Sequence, residues 1–183
     1  MKIYRIAKSK EDEYLYHGGY DFGDNPELKS GHQGGKPSGN DSGAIFLTPS
    51  EQYAKQYMKH PKGLYKTKMP VGETIFDIAN NNHCKQFIDG SKNWEDYDNI
   101  NDAKRDAINI LNDMKSTMKN GAIDWGTASH YIPELQSSGF TGAKFLERPA
   151  ENIEVLQDGS FKTSGDPVYS YALFRDSLPV ERV

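Results

Sequence analysis

Three short stretches carry the residue types that could do chemistry. The first is Leu15-Tyr16-His17-Gly18-Gly19, where an imidazole ends an apolar run beside bare backbone. Glycine has no Cβ, so a flat ligand could approach closely there. The second begins about thirty residues on, with Gly43-Ala44-Ile45-Phe46-Leu47-Thr48, then Tyr53-Ala54 and Tyr57. It offers a strand, a Thr-Pro-Ser break and a helix carrying rings. Together the two stretches supply hydrogen-bonding groups and flat faces, which an aromatic amide carried on a ribose requires. The third is Gly139-Phe140-Thr141-Gly142 followed by Ala143-Lys144-Phe145-Leu146-Glu147, a turn and strand that end on a carboxylate.

These residues need elements to position them. Tyr14-Leu15-Tyr16 reads as the first functional strand, after an alternating run at 3–6 and a charged turn at 8–13. Residues 18–43 are rich in Gly, Asp, Asn, Ser and Pro, with Gly34-Gly35-Lys36-Pro37-Ser38-Gly39-Asn40 at the centre. Such a long loop in a compact domain is uncommon, and it is expected to lie at a functional cleft or on a bare surface. Residues 43–47 predict a buried strand and 50–59 a helix, started by Thr48-Pro49-Ser50-Glu51. Strands are expected at 64–69, 73–78, 143–146 and 168–174, the last being the strongest strand signal. Residues 81–100 read as polar and irregular. Ala103, Ala107, Ile110, Leu111, Met114 and Met118 predict one helix over 102–118, capped by Asp102. A polar, hairpin-like excursion is expected between 148 and 167.

Composition bounds the rest. The chain has 183 residues, 36% hydrophobic, with 17 Gly and 9 Pro, and a mean hydropathy of -0.79. That favours one loop-rich α+β domain over a helical bundle. A net charge of -4 and a pI near 5.7 make nucleic acid a poor general partner, leaving room only for a local basic groove. The single cysteine, Cys84, has no internal disulfide partner and reads as a small buried hydrophobe. No run reaches the length of a membrane span, so a soluble, cytoplasmic protein is expected. His32, His60, His83 and His130 are too scattered for metal-ligand spacing, and no metal is expected. The Gly34–Ser38 stretch lacks the phosphate-loop spacing, and no Gly-x-Ser-x-Gly elbow is present.

Taken together, the three stretches resemble the ADP-ribosyltransferase superfamily, in its His-Tyr-Glu branch of diphtheria toxin and poly(ADP-ribose) polymerase-like domains. The resemblance covers roughly 14–80 and 124–178, with a mostly helical insertion around 81–123. It implies an α+β split β-sandwich of two small antiparallel sheets with flanking helices, with NAD as co-substrate in the cleft. His17 would bond the adenosine ribose, and the Gly18 backbone would clamp the nicotinamide carboxamide. Phe46 stands where the family has a strand tyrosine, keeping the ring and losing the hydroxyl. Thr48 and Tyr53 or Tyr57 complete the expected NAD contacts. Two adjacent rings on one helix face can equally be packing residues.

The third motif is divided. Phage-type relatives place a Glu after a Gly-Phe-Asp-Gly-like turn, which points to Glu147, with Thr141 replacing the Asp. The polymerase-like pattern puts the carboxylate immediately before the last strand's aromatic, where this chain has Ser170. Glu147 offers the needed chemistry, and Glu151 or Glu154 are the alternatives. The resemblance implies mono-ADP-ribosyl transfer from NAD to a protein acceptor with release of nicotinamide. The nearest pattern belongs to phage and mobile-element proteins, which implies a host or defence protein as target, in the host cytoplasm. A catalytically silent module that blocks a partner, and an NAD glycohydrolase, remain the rival expectations.

Overall fold

The computed structural model describes residues 14–30, 32–33, 36–37, 43–95, 97–118, 122–147, 153–155, 161–163 and 168–183. In chain order these form β1 (Tyr14–Gly18), β2 (Glu27–Lys29), β3 (His32–Gln33), β4 (Lys36–Pro37), β5 (Ile45–Leu47), α1 (Glu51–Gln56), β6 (Leu64–Lys68) and β7 (Ile75–Phe76). Then come α2 (Asn81–Gly90), α3 (Ile100–Ser116), β8 (Ile123–Asp124), α4 (Trp125–Ala128), α5 (Ile132–Ser137) and β9 (Gly142–Glu147). The chain closes with β10 (Ile153–Val155), β11 (Phe161–Thr163), β12 (Val168–Leu173), β13 (Ser177–Pro179) and β14 (Glu181–Arg182).

The fold is mixed α+β with small sheets. One has three antiparallel strands in the order β1-β6-β14; the larger runs β5-β12-β9-β7, with β8 also on β9. In the larger sheet β5-β12 and β12-β9 are antiparallel, whereas β7 and β8 run parallel to β9. Alternation along its strands divides two cores, because successive residues face opposite sides. Phe46, Phe76, Ala143, Phe145 and Ala172 pack with Phe87, Ala107, Ile110, Leu111 and Met114 of the helices. Ile45, Leu47, Leu173 and Tyr171 pack instead with Leu15 and Tyr65 of the smaller sheet. The larger sheet is therefore a middle layer between helices and a second sheet. The helical segment 81–116 shares a core with the strands and supplies much of it.

Several boundaries differ from the sequence expectation for identifiable reasons. Residues 81–90 are helical despite their polarity: Asn80 caps the start by accepting from the Asn82 N–H at 3.0 Å, and Cys84 and Phe87 alone are its buried anchors. α3 starts at Ile100 because Asn99, not Asp102, is the cap, accepting from the Asn101 N–H at 2.8 Å. Asp102 lies inside the first turn and pairs with Arg105 at 2.8 Å. α1 begins as expected, with the Ser50 hydroxyl accepting from the Tyr53 N–H at 3.1 Å. It stops at Gln56 because the Lys59 N–H turns away to the Gly19 carbonyl at 2.8 Å. β2 pairs with β13, so the Gly-rich loop is anchored part-way. The strand expected at 3–6 and, at the centre of that loop, residues 34–35 and 38–40 lie outside the described residues, whereas 36–37 form β4. The excursion at 148–167 contains the β10-β11 hairpin. Cys84 is buried, its Sγ donating to the Ile78 carbonyl at 3.3 Å. No helix among the described residues is long and apolar enough to cross a membrane.

Candidate functional site

The site is built where β1 and β5 meet and then part. At Tyr16 and Thr48 they form one closed rung: the Tyr16 N–H donates to the Thr48 carbonyl at 2.7 Å, and the Thr48 N–H to the Tyr16 carbonyl at 2.9 Å. A regular antiparallel ladder would next pair Gly18 with Phe46. Instead the imidazole of His17 takes the Phe46 carbonyl, with Nδ1 2.9 Å from the oxygen. A carbonyl only accepts, so Nδ1 carries the proton.

That substitution frees the Gly18 backbone. Gly18 stands opposite Leu64 in β6, but the Gly19 N–H bonds the Gly63 carbonyl at 2.8 Å and the Val183 N–H bonds the Leu64 carbonyl at 3.0 Å. The alternation of the ladder thus directs the N–H and C=O of Gly18 away from β6, into the opening between β1 and β5. His17 is half-buried, and its Nε2 has no hydrogen-bond partner among the described residues. A Cβ at Gly19 would stand 3.1 Å from Nε2, so glycine keeps that atom uncovered. Burial holds the His17 pKa below its ordinary value, opposed by the bond to the Phe46 carbonyl. The ring is neutral at pH 7, and Nε2 keeps a lone pair.

A fully buried tyrosine holds the next turn. The Tyr65 hydroxyl donates to the Tyr20 carbonyl at 3.0 Å and accepts from the Phe22 N–H at 2.7 Å. This brings the Phe22 ring within 6.4 Å of the imidazole, centre to centre.

The bare face of Gly18 is not left for a ligand. A Cβ there would fall 1.8 Å from the Ala54 carbonyl oxygen, so α1 has seated its backbone against the glycine. The close approach expected from Gly18 is taken by the helix, and only the edge of the strand stays open. This contact sets the two tyrosines. Tyr53 is 3% exposed and Tyr57 46%, with hydroxyls 2.6 Å apart and rings edge-on at 5.2 Å. Thr48 is buried, its hydroxyl accepting from the Ser50 N–H at 3.2 Å and lying 3.4 Å from the Tyr169 carbonyl. The half-buried Phe46 ring stands edge-on to Phe145 at 5.8 Å, on the helical side of the sheet.

His17 is thus joined to the Phe46 carbonyl, with Thr48 on the adjoining rung and α1, which carries Tyr53 and Tyr57, seated on Gly18. Glu147 is not in that group. It ends β9 opposite Val168, and β12 lies between β9 and β5, which separates those outer strands by about 10 Å. Ser170 faces Phe145 in the register and is 2% exposed. Glu154 lies in β10 opposite Lys162, and Glu151 lies outside the described residues.

The structure adds groups the sequence reading passed over. The Lys144 ammonium lies 3.0 Å from Asp77 Oδ2 and 4.7 Å from the centre of the Tyr169 ring, an ion pair tying β9 to the residue after β7. The alternation of Ala143, Lys144 and Phe145 is the signal that puts Lys144 opposite the helical core. Tyr65 and Ala54 had no comparable signal, because their partners are backbone atoms distant in sequence. A cavity of about 590 Å³ lies elsewhere, between residues 23–27 and 179–182, and no site residue lines it. Among the described residues no three His, Cys, Asp or Glu side chains gather as a metal site would require.

Compared with known proteins, the chain matches no family model, no curated protein and no solved structure.

Proposed function

We propose that this chain transfers one ADP-ribose unit from NAD to a protein acceptor and releases nicotinamide, on an ADP-ribosyltransferase-like fold. The observation that carries the proposal is the broken rung at Gly18 and Phe46. It sets a neutral imidazole with an uncovered Nε2 beside a glycine N–H and C=O that point away from β6.

The chemistry follows from those atoms. Nε2 accepts from a ribose hydroxyl. The N–H and C=O of Gly18 match the acceptor and donor of a carboxamide, which fixes the nicotinamide ring in the opening. Tyr57, the exposed member of its pair, supplies a flat face for that ring. In the reaction the bond between nicotinamide and the ribose C1 breaks, and nicotinamide leaves as a neutral base. A nucleophile of the acceptor bonds to C1 and gives up its proton. The charge that develops on the ribose needs a carboxylate nearby. Glu147, at the end of β9 and one strand removed from β5, is that carboxylate in this proposal. On the pattern it resembles, the acceptor is a host or defence protein in the cytoplasm.

A second reading rests on Ser170. It stands immediately before Tyr171 on β12, is buried, and brings no carboxylate to that position. A silent module that keeps the cleft and blocks a partner would have this feature. Incubation with labelled NAD and cell proteins separates the two: labelled protein and free nicotinamide support transfer, and partner capture without nicotinamide release supports the silent module.

A further inference from the structure

Charge along this acidic chain is unevenly spread. Residues 52–72 contain five lysines and a histidine and no Asp or Glu, although the whole chain carries 26 acidic against 22 basic residues. The part of this segment from 57 to 63 follows α1 and lies against the end of β1. Its lysines are exposed at Lys59 and Lys62, and beside them Tyr20 and Tyr57 are each 46% exposed.

The loop that presents them is fixed. The Lys59 N–H bonds the Gly19 carbonyl at 2.8 Å, the Gly19 N–H bonds the Gly63 carbonyl at 2.8 Å, and the Gly63 N–H bonds the His60 carbonyl at 2.8 Å. The Lys62 N–H donates to His60 Nδ1 at 3.2 Å. A Cβ at Gly63 would lie 2.0 Å from the Gly19 oxygen, so the two segments touch through backbone. The ammonium groups are therefore displayed on an ordered frame, which lowers the entropy cost of using them.

The carboxylates around this face are already engaged. Glu51 pairs with Lys55 at 2.7 Å, Asp21 pairs with Arg182 and lies 3.8 Å from His60, and Glu181 lies 4.0 Å from Lys66. Lys59 and Lys62 have no carboxylate within ion-pair distance among the described residues.

We infer that this face, formed by Tyr20, Tyr57, Lys59 and Lys62, binds single-stranded nucleic acid. Exposed rings beside exposed lysines, of which Lys62 shares the field of Asp21 without a close ion pair, suit a chain of phosphates whose bases can leave their stack and lie on aromatic faces. A duplex would satisfy the lysines and leave the tyrosines unused. An acidic protein segment would likewise offer no bases for the rings, so the single strand uses the whole face.

The test is fluorescence anisotropy with a labelled oligothymidylate of roughly twenty nucleotides, a length that exceeds one binding site. NAD is left out, so the result is independent of the transfer reaction. The protein should bind, and affinity should fall roughly tenfold as salt rises from about 50 to about 200 mM. Lys59→Glu with Lys62→Glu should weaken binding at least about tenfold, and Tyr20→Ala by about tenfold. Lys85→Glu with Lys92→Glu makes the same change in net charge on α2 and just beyond it, and should leave affinity within about twofold. Melting curves establish that each variant is folded. Absence of binding by the unaltered protein would overturn the inference, as would equal loss in both charge variants. Binding of polyglutamate as tightly as the oligonucleotide would also overturn it and make an acidic protein the partner.

Discussion

His17 and Phe46 are joined at the point where two strands separate. The imidazole Nδ1 donates to the Phe46 carbonyl at 2.9 Å, in the place where a ladder bond from Gly18 would otherwise lie. One side chain therefore does two things. It closes the smaller sheet against the larger, and it leaves a strand edge open beside its own second nitrogen.

His17→Ala should lower NAD affinity about tenfold, the scale of one lost hydrogen bond of ~1.4 kcal/mol. Calorimetry checks this, and unchanged affinity would remove His17 from the site. The same group fixes a pH dependence. Its folded pKa lies below the ordinary 6.5, so the native state resists a proton that the unfolded chain accepts. The contribution is fully present above 6.5 and is lost as pH falls through the lower folded value. NAD binding should weaken over the same fall, since a protonated Nε2 no longer accepts. Unfolding midpoints of the wild type and His17→Gln from about pH 7.5 down to about pH 5 should diverge, with the wild type losing more.

Gly18→Ala should be among the costliest small substitutions in the chain. The added methyl would meet the Ala54 carbonyl oxygen at 1.8 Å, and a backbone atom in a helix has no rotamer to escape through. Overpacking of this kind costs about 1–3 kcal/mol, measurable by urea denaturation. Stability within about 0.5 kcal/mol of wild type would mean that α1 moves freely against β1.

Tyr53 and Tyr57 should separate by role despite their shared hydrogen bond. Tyr53 is buried, so Tyr53→Ala should cost about 3–5 kcal/mol, as for other large core aromatics. Tyr57 is exposed, so Tyr57→Ala should cost about 1 kcal/mol or less and should raise the NAD concentration needed for half-saturation. Thermal melts alongside NAD titrations distinguish the two. Equal effects on both readouts would return Tyr57 to a packing role.

The parts of this architecture that were legible from sequence are those set by local pattern. β1, β5, β6, β9 and β12 follow apolar runs, and α3 follows its repeat of Ala103, Ala107, Ile110, Leu111 and Met114. The His-Gly pair and the capped aromatic helix were also visible, because both are local features. What was hidden depends on distant partners. α2 is polar along most of its length and is held by Cys84, bonded to the Ile78 carbonyl, and by Phe87, whose ring meets Phe76 and Trp94 and whose carbonyl accepts from the distant Ser138 hydroxyl. Asn99 rather than Asp102 caps α3, a choice between two good cap residues that the apolar repeat from Ala103 onward leaves open. The seating of Ala54 on Gly18 joins two residues 36 apart through a backbone oxygen, which no side-chain pattern records.

Glu147→Gln should lower turnover by about two orders of magnitude while NAD affinity stays within about twofold, as for a group that acts on developing charge. Rates with saturating NAD, set beside calorimetry, give both quantities. Near-normal turnover would move the carboxylate role to Glu151 or Glu154.

The central claim is ADP-ribosyl transfer from NAD. Its most direct test is incubation of the purified protein with NAD labelled on the adenine side and a mixture of cell proteins, followed by gel separation and assay of released nicotinamide. The account predicts labelled protein bands with equivalent nicotinamide, both strongly reduced by His17→Ala. No labelled protein and no nicotinamide above the buffer rate would contradict it.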